Sequence, residues 1–110
     1  MKLLTNALKT QLLSHAKQGA EDPAPVVKLF TPWANCIWLL TELDPDKEDI
    51  AFGLCDLGLG FPELGYVSLS ELISYKGPAG LTVKRDIHFK TDKPLSYFVE
   101  KARFASCITA

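Results

Sequence analysis

Two charged residues fall on the apolar faces of predicted strands. A charge in such a position can form a buried ion pair or the polar centre of a ligand pocket. Residues 82–90 alternate between apolar and polar side chains, which predicts a strand with Arg85 on its apolar face. Asp56 is placed in the same way at the end of the apolar run 50–57. An unpaired buried charge is prohibitively costly, so each group needs a partner.

Arg85 is therefore expected to pair with Asp56 or, failing that, with Glu63 or Glu71. Two interpretations stay open. The pair is either a structural ion pair that orders the loop 57–65, or the polar centre of a ligand pocket formed by Asp56, Glu63 and Arg85.

The segment "TPWANC" interrupts an apolar stretch and offers two further binding candidates, Trp33 and Asn35. Pro32 cannot donate to a strand ladder, so the chain must bend there. Asn35 can bond its own backbone and stabilise the bend. Trp33 either covers the core or borders a binding surface, since tryptophan is enriched at binding hot spots. Trp38 lies inside the apolar run and is predicted core.

Cysteine and histidine spacing gives no metal or nucleophile pattern. The three cysteines form no CxxC motif, and Cys36 and Cys55 lie in apolar strands as small hydrophobic residues. His15 has no second histidine one turn later, and His88 falls on a polar face. Fingerprints of serine hydrolases, P-loops and dinucleotide-binding folds are absent from the sequence. We expect no metal, no cofactor and no catalytic residue, so the sequence leans away from an enzyme.

Charge is unevenly distributed along the 110 residues, although the net charge is −1. Residues 76–110 hold seven Lys/Arg and three Asp/Glu, whereas residues 1–75 hold five and ten. The basic last third allows association with nucleic acid, but specific binding is not expected because the body is acidic. No apolar run approaches the ~18 residues of a membrane span, and no signal-peptide core is present, which predicts a cytoplasmic protein without membrane contact.

Hydrophobic periodicity and turn signals predict one α+β domain over residues 1–110, with an antiparallel sheet of about four strands and two or three helices. The predicted strands are 26–30, 35–42, 50–57 and 82–90, and the predicted helices are 5–18, 69–75 and 94–105. Residues 57–65 are predicted to be a glycine-rich connection, followed by a short extended piece at 66–69, and the tail 106–110 is predicted to fray.

Several unusual blocks, in order, resemble the family called domain of unknown function 2958. The blocks are "VVKLFTPWANCIWLLTELD", "FGLCDLGLGFPELGYVSLSEL", "KGPAGLTVKRDIHF" and "KPLS". The resemblance covers about residues 1–98 and leaves 99–110 as a helix end and tail. It implies a small bacterial protein of the kind carried by plasmids and integrative conjugative elements, with no catalytic residue to transfer.

That resemblance favours a non-enzymatic interaction protein that binds a host or defence protein. One alternative is a small enzyme or ligand binder that uses the polar pocket. A second alternative is a nucleic-acid-associated protein that uses the basic last third. The candidate binding residues are Trp33, Asn35, Asp56, Glu63 and Arg85. The sequence does not define the oligomeric state.

Overall fold

The computed structural model describes residues 3–110 and confirms an α+β architecture built on one antiparallel sheet. The strands are β1 (Val27–Phe30), β2 (Ile37–Leu43), β3 (Ile50–Asp56), β4 (Glu63–Ser68) and β5 (Lys84–Arg85), in the spatial order β4-β3-β2-β1-β5. The helices are α1 (Asn6–Gln18), α2 (Leu69–Ser74) and α3 (Leu95–Ala105), with a 3-10 turn at Pro78–Gly80. The sheet therefore has five strands where the sequence predicted about four.

Local capping explains why the helices begin and end so close to their predicted bounds. The Thr5 side chain accepts a hydrogen bond from the Leu8 amide, and Gly19 ends α1 in the left-handed conformation with φ of 63°. The Ser68 side chain caps α2 in the same way by accepting from the Glu71 amide.

Helices cover both faces of the sheet, which gives two separate hydrophobic clusters. The α1-side cluster includes Leu12, Val27, Leu29, Trp38, Leu40, Leu69 and Leu72. The α3-side cluster includes Leu39, Leu54, Leu95, Phe98, Ala102 and Ile108. Consecutive residues of β2 thus face opposite clusters. The unbroken apolar run of β2 is therefore buried on both faces, and Trp38 is core as predicted.

A bulge in β2 fixes how β2 and β3 fit together. The pairing shifts between Leu40 and Glu42, so Thr41 is the extra residue, and its hydroxyl donates to the Phe52 carbonyl at 3.2 Å. A Cβ at Gly53 would overlap the Leu39 carbonyl oxygen. Glycine is therefore required where the two backbones approach.

The strand predicted at 82–90 is much shorter in the structure. Only Lys84–Arg85 pair with β1, and the chain then turns at Asp86. The Asp86 side chain accepts a hydrogen bond from the His88 amide at 2.9 Å, and its carbonyl accepts from the Phe89 amide at 3.2 Å. This local side-chain turn competes with the ladder and overrides the alternating pattern.

Two other segments are more ordered than the sequence predicted. The connection predicted at 57–65 ends early, and β4 begins at Glu63. The tail does not fray: Ile108 is buried, and the Lys28 Nζ donates to the Ala110 carbonyl at 2.7 Å.

Candidate functional site

A cleft of about 890 Å³ opens on the α3 side of the sheet, where β1, β2, β3 and β5 approach one another. Cross-strand pairing places Phe30, Ile37 and Asp56 on one row of that face. The tail 106–108 and the turn 86–88 also line the cleft. The site thus combines an apolar floor with polar groups from several elements, as ligand and peptide sites do.

Asp56 is the buried polar residue of this cleft, with a relative exposure of 1%. One carboxylate oxygen accepts from the Gly58 amide at 2.8 Å, and the other accepts from the Ile108 amide at 2.9 Å. Charge-assisted bonds of this kind are stronger than neutral ones. The carboxylate therefore ties both the loop after β3 and the tail to the end of the sheet.

The structure gives Arg85 a different position from the expected pairing with Asp56. Arg85 lies opposite Leu29, whose side chain belongs to the α1-side cluster, and its Nη1 donates to the Leu3 carbonyl at 2.6 Å. Asp56 lies opposite Ile37, which faces the α3 side. Both residues do sit on apolar faces, but a sheet covered on both sides has two such faces. Arg85 also lines the cleft.

Glu63 does not join the expected polar pocket. It pairs with Cys55, which packs against the α1-side cluster, and it is exposed on β4. Glu71, the other fallback partner, is exposed in the first turn of α2. Of the three residues predicted to form the polar pocket, Asp56 and Arg85 line the cleft, whereas Glu63 lies outside it.

The "TPWANC" segment forms the turn between β1 and β2 at one end of the cleft. Thr31 closes this turn, because its amide donates to the Cys36 carbonyl and its hydroxyl accepts from the Cys36 amide. Asn35 is exposed and lines the cleft. Trp33 is half-buried and packs on Gly77, where an added Cβ would overlap the indole ring. Its role in binding stays a prediction.

Lys28 and Asp86 also line the cleft and were not among the predicted site residues. The Lys28 ammonium lies 3.8 Å from the Asp86 carboxylate and also holds the Ala110 carbonyl. Lys28 alternates with buried Val27 and Leu29 along β1. The alternation puts the Lys28 side chain on the face of the sheet opposite to that of Val27 and Leu29. This pattern was the signal in the sequence that could have identified Lys28 as a cleft residue.

Exposed apolar side chains flank the cleft, and we call them the apolar rim. Its members are Leu57, Leu59, Phe61 and Ile87, with relative exposures between 57% and 79%. Gly58 and Gly60, which separate the first three, themselves line the cleft. The sequence signal was an apolar residue at every second position of a glycine-rich loop.

A basic cluster forms on the outer side of α3 from residues that are separated in sequence. The Lys93 and Lys101 ammonium groups lie 5.7 and 5.1 Å from the centre of the Tyr97 ring. Lys90 joins them around a shallow depression of about 620 Å³. The fold thus brings together an aromatic residue and three lysines that showed no stripe in the sequence.

The three cysteines are free, and burial distinguishes their reactivity. Cys107 is exposed on the cleft wall, whereas Cys36 and Cys55 are half-buried. Burial raises the pKa of the Cys55 thiol to about 11, which keeps it protonated at neutral pH.

Among residues 3–110, no group of three or more His, Cys, Asp or Glu side chains could hold a metal ion. Within the same residues, no helix has the length and apolar character needed to span a membrane.

A family model described as "Protein of unknown function (DUF2958)" matches residues 3–109. The match extends beyond residue 98, where the sequence resemblance ended, and so includes Ile108, whose amide donates to Asp56. No curated protein and no solved structure matches the chain.

Proposed function

We propose that this chain, which belongs to the DUF2958 family of proteins of unknown function, acts by binding a protein partner rather than by catalysis. The apolar rim is the observation that carries the proposal. Exposed apolar side chains that cluster on a protein surface mark an interaction site, whereas scattered single ones do not. Leu57, Leu59 and Phe61 lie within five consecutive residues and are all more than half exposed.

The cleft beside the apolar rim provides a pocket into which a side chain of the partner could insert. Interface anchors are aromatic or long apolar side chains that fill a pocket and are surrounded by polar contacts. Phe30 and Ile37 provide an apolar floor, and Asn35 and Asp86 provide polar groups at its edge. A partner side chain inserted into the cleft would place the surrounding partner surface against the apolar rim.

We extend this proposal to the kind of partner through the mobile-element setting that the family resemblance implies. Proteins of that setting often act by binding host factors, defence systems, or transfer and replication machinery. A host or defence protein is therefore the proposed partner, and the proposal rests on this association rather than on a contact in the structure.

Affinity capture from a bacterial host lysate tests the proposal when it includes matched variants. The tagged wild type should retain one stoichiometric protein, and Phe61→Ser in the apolar rim should lose it. Ile73→Ser is the control, because Ile73 is 58% exposed but lies on α2, on the other side of the sheet. Loss with both variants, or with neither, would contradict a partner site at the rim.

A second candidate is the binding of a small molecule in the cleft. Its support is that Asn35, Asp56 and Arg85 all line a cavity whose volume is within the usual range of ligand sites. Thermal shift measurements against a metabolite library would test it, with Asn35→Leu as the variant that should remove any stabilisation. A ligand that stabilises the wild type and the variant equally would contradict binding in the cleft.

A further inference from the structure

The outer edge of β4 exposes backbone hydrogen-bonding groups. β4 is the first strand of the sheet, so within residues 3–110 it has a neighbour on one side only. The Leu69 amide donates to the Asp49 carbonyl at 2.8 Å, which makes the adjacent Ile50–Ser68 pair a non-hydrogen-bonded pair of the ladder. Because hydrogen-bonded and non-hydrogen-bonded pairs alternate, every second residue of β4 directs its N–H and C=O away from β3. These residues are Leu64, Tyr66 and Ser68.

This edge lacks the features that normally prevent strand association. Native edges are kept short, bulged or charged. The opposite edge follows that rule, since β5 has two residues, Lys84 and Arg85. In contrast, β4 pairs with β3 over six residues without a register shift, and its one charged residue is Glu63 at its start. Leu64 and Tyr66 are 48% and 72% exposed.

We propose that β4 pairs antiparallel with β4 of a second copy of this chain, about a two-fold axis at Tyr66. The proposal uses a surface separate from the apolar rim and does not depend on the proposed function. An isologous contact needs a self-complementary surface, and an antiparallel pair of identical strands provides one. The two sheets would then join into one continuous sheet of ten strands.

Backbone chemistry selects the register. With Tyr66 opposite the second copy's Tyr66, Leu64 faces Ser68. The two Tyr66 residues exchange two backbone hydrogen bonds, and each Ser68 amide donates to a Leu64 carbonyl, which gives four backbone hydrogen bonds. The Ser68 carbonyl adds none, because Ser68 caps α2 and its carbonyl belongs to the first turn of that helix. A shift of one residue pair toward the start of the strand brings Pro62 opposite Ser68, and proline has no N–H to donate. A shift in the other direction brings residues of α2 into the ladder. Tyr66 is therefore the centre of the pairing.

Side chains support the same register. Tyr66 packs on Phe52 across the β3–β4 pair, with ring centres 5.0 Å apart. Tyr66 of the second copy would extend this contact into a row of four aromatic rings across the joined sheet, and cross-strand aromatic pairs are stabilising. The two Glu63 side chains would lie roughly 20 Å apart at the strand spacing of ~3.3 Å per residue. Like charges therefore do not meet at the interface.

The size of the contact sets the expected affinity. One added strand pair buries less than the ~800 Å² per partner that is typical of stable interfaces. We therefore expect a monomer–dimer equilibrium that depends on concentration, not a permanent dimer.

Sedimentation equilibrium over roughly micromolar to millimolar protein tests the pairing. Tyr66→Lys and Tyr66→Glu should each raise the dimer dissociation constant about tenfold or more, because each places like charges opposite one another. Tyr97→Lys is the matched control, since Tyr97 is 39% exposed on α3, and it should dimerise as the wild type does. Circular dichroism establishes that each variant is folded.

Mixing the two Tyr66 variants tests the register. Opposite charges would then face one another, so the mixture should form a heterodimer that neither variant forms with itself. A wild type that stays monomeric over the whole range, or Tyr66 variants that self-associate as the wild type does, would overturn the proposal. A mixture that stays monomeric would overturn the register centred on Tyr66.

Discussion

The Asp56 carboxylate accepts a hydrogen bond from the backbone amide of Ile108 at 2.9 Å, across 52 residues of sequence. Its other oxygen holds the Gly58 amide. Asp56→Ala would leave two amides without their acceptor, and we expect the free energy of unfolding to fall by about 2–4 kcal/mol. Urea unfolding measures this. Asp92→Ala, at an exposed residue, is the control, and an equal small loss in both variants would show that Asp56 does not hold the tail.

Acid should weaken the start of α2 through Asp49. Hydrogen bonds from the Ser68 hydroxyl, then from the Ser70 hydroxyl and amide, lower the pKa of Asp49 below its ordinary value of 3.8. A lowered folded-state pKa contributes stability above that ordinary value, and the contribution is lost as the pH falls through the folded pKa. Asp49→Asn should therefore reduce the change in urea midpoint between about pH 5 and pH 2.5. Asp46→Asn should leave that change as in the wild type.

The contact of Trp33 with Gly77 can be measured by a double-mutant cycle. Gly77→Ala places a methyl group into the indole of Trp33, and overpacking of this kind costs about 1–3 kcal/mol. In a Trp33→Ala background the methyl has room, so the same change should cost little. Trp38→Ala, at 3% exposure in the core, should lose roughly 3–5 kcal/mol by itself. Additive effects of the Trp33 and Gly77 changes would contradict the packing.

The three thiols should react at different rates in the native protein. Cys107 is exposed and should react with a thiol reagent first. Cys55, with its pKa raised to about 11, should react only on unfolding. Peptide mapping after timed alkylation gives the order, and Cys107→Ser should remove the fast phase. A captured partner that occupies the cleft should also slow the reaction at Cys107. Early labelling of Cys55 would contradict its burial.

Duplex DNA should bind weakly, with a dissociation constant above roughly 1 µM at physiological salt, since a net charge of −1 limits counterion release. Any residual binding should come from the basic cluster. The triple variant Lys90→Ala/Lys93→Ala/Lys101→Ala should remove it. The control Lys9→Ala/Lys17→Ala/Lys47→Ala carries the same net charge and should retain it. Fluorescence anisotropy that saturates well below that concentration would contradict this prediction.

The helices and the central strands could be predicted because their signals are local. Thr5, Gly19 and Ser68 fix helix ends through neighbouring amides, and the apolar run of β2 reports burial on both faces. The order of the tail and the start of β4 could not be predicted from local patterns. Their order depends on contacts with distant residues, as Asp56 with Ile108 shows.

The candidate site was only partly predictable for a similar reason. The alternating pattern placed Asp56 and Arg85 on apolar faces, but a pattern of period two does not say which face of a doubly covered sheet a strand presents. Register decides that, and register depends on pairing between distant segments. Asn35, Asp56 and Arg85 do line one cleft, whereas Glu63 lies beyond it.

The position of β5 beside β1 has a consequence for synthesis of the chain on the ribosome. Leu29 pairs with Arg85, so the outer edge of β1 stays unpaired while the intervening residues are translated. At 5–20 residues per second this interval lasts about 3–11 s, far longer than hairpin formation. The meander from β1 to β4 can form during that time with its β1 edge uncovered. Nascent chains are therefore most exposed to edge-to-edge association just before β5 emerges.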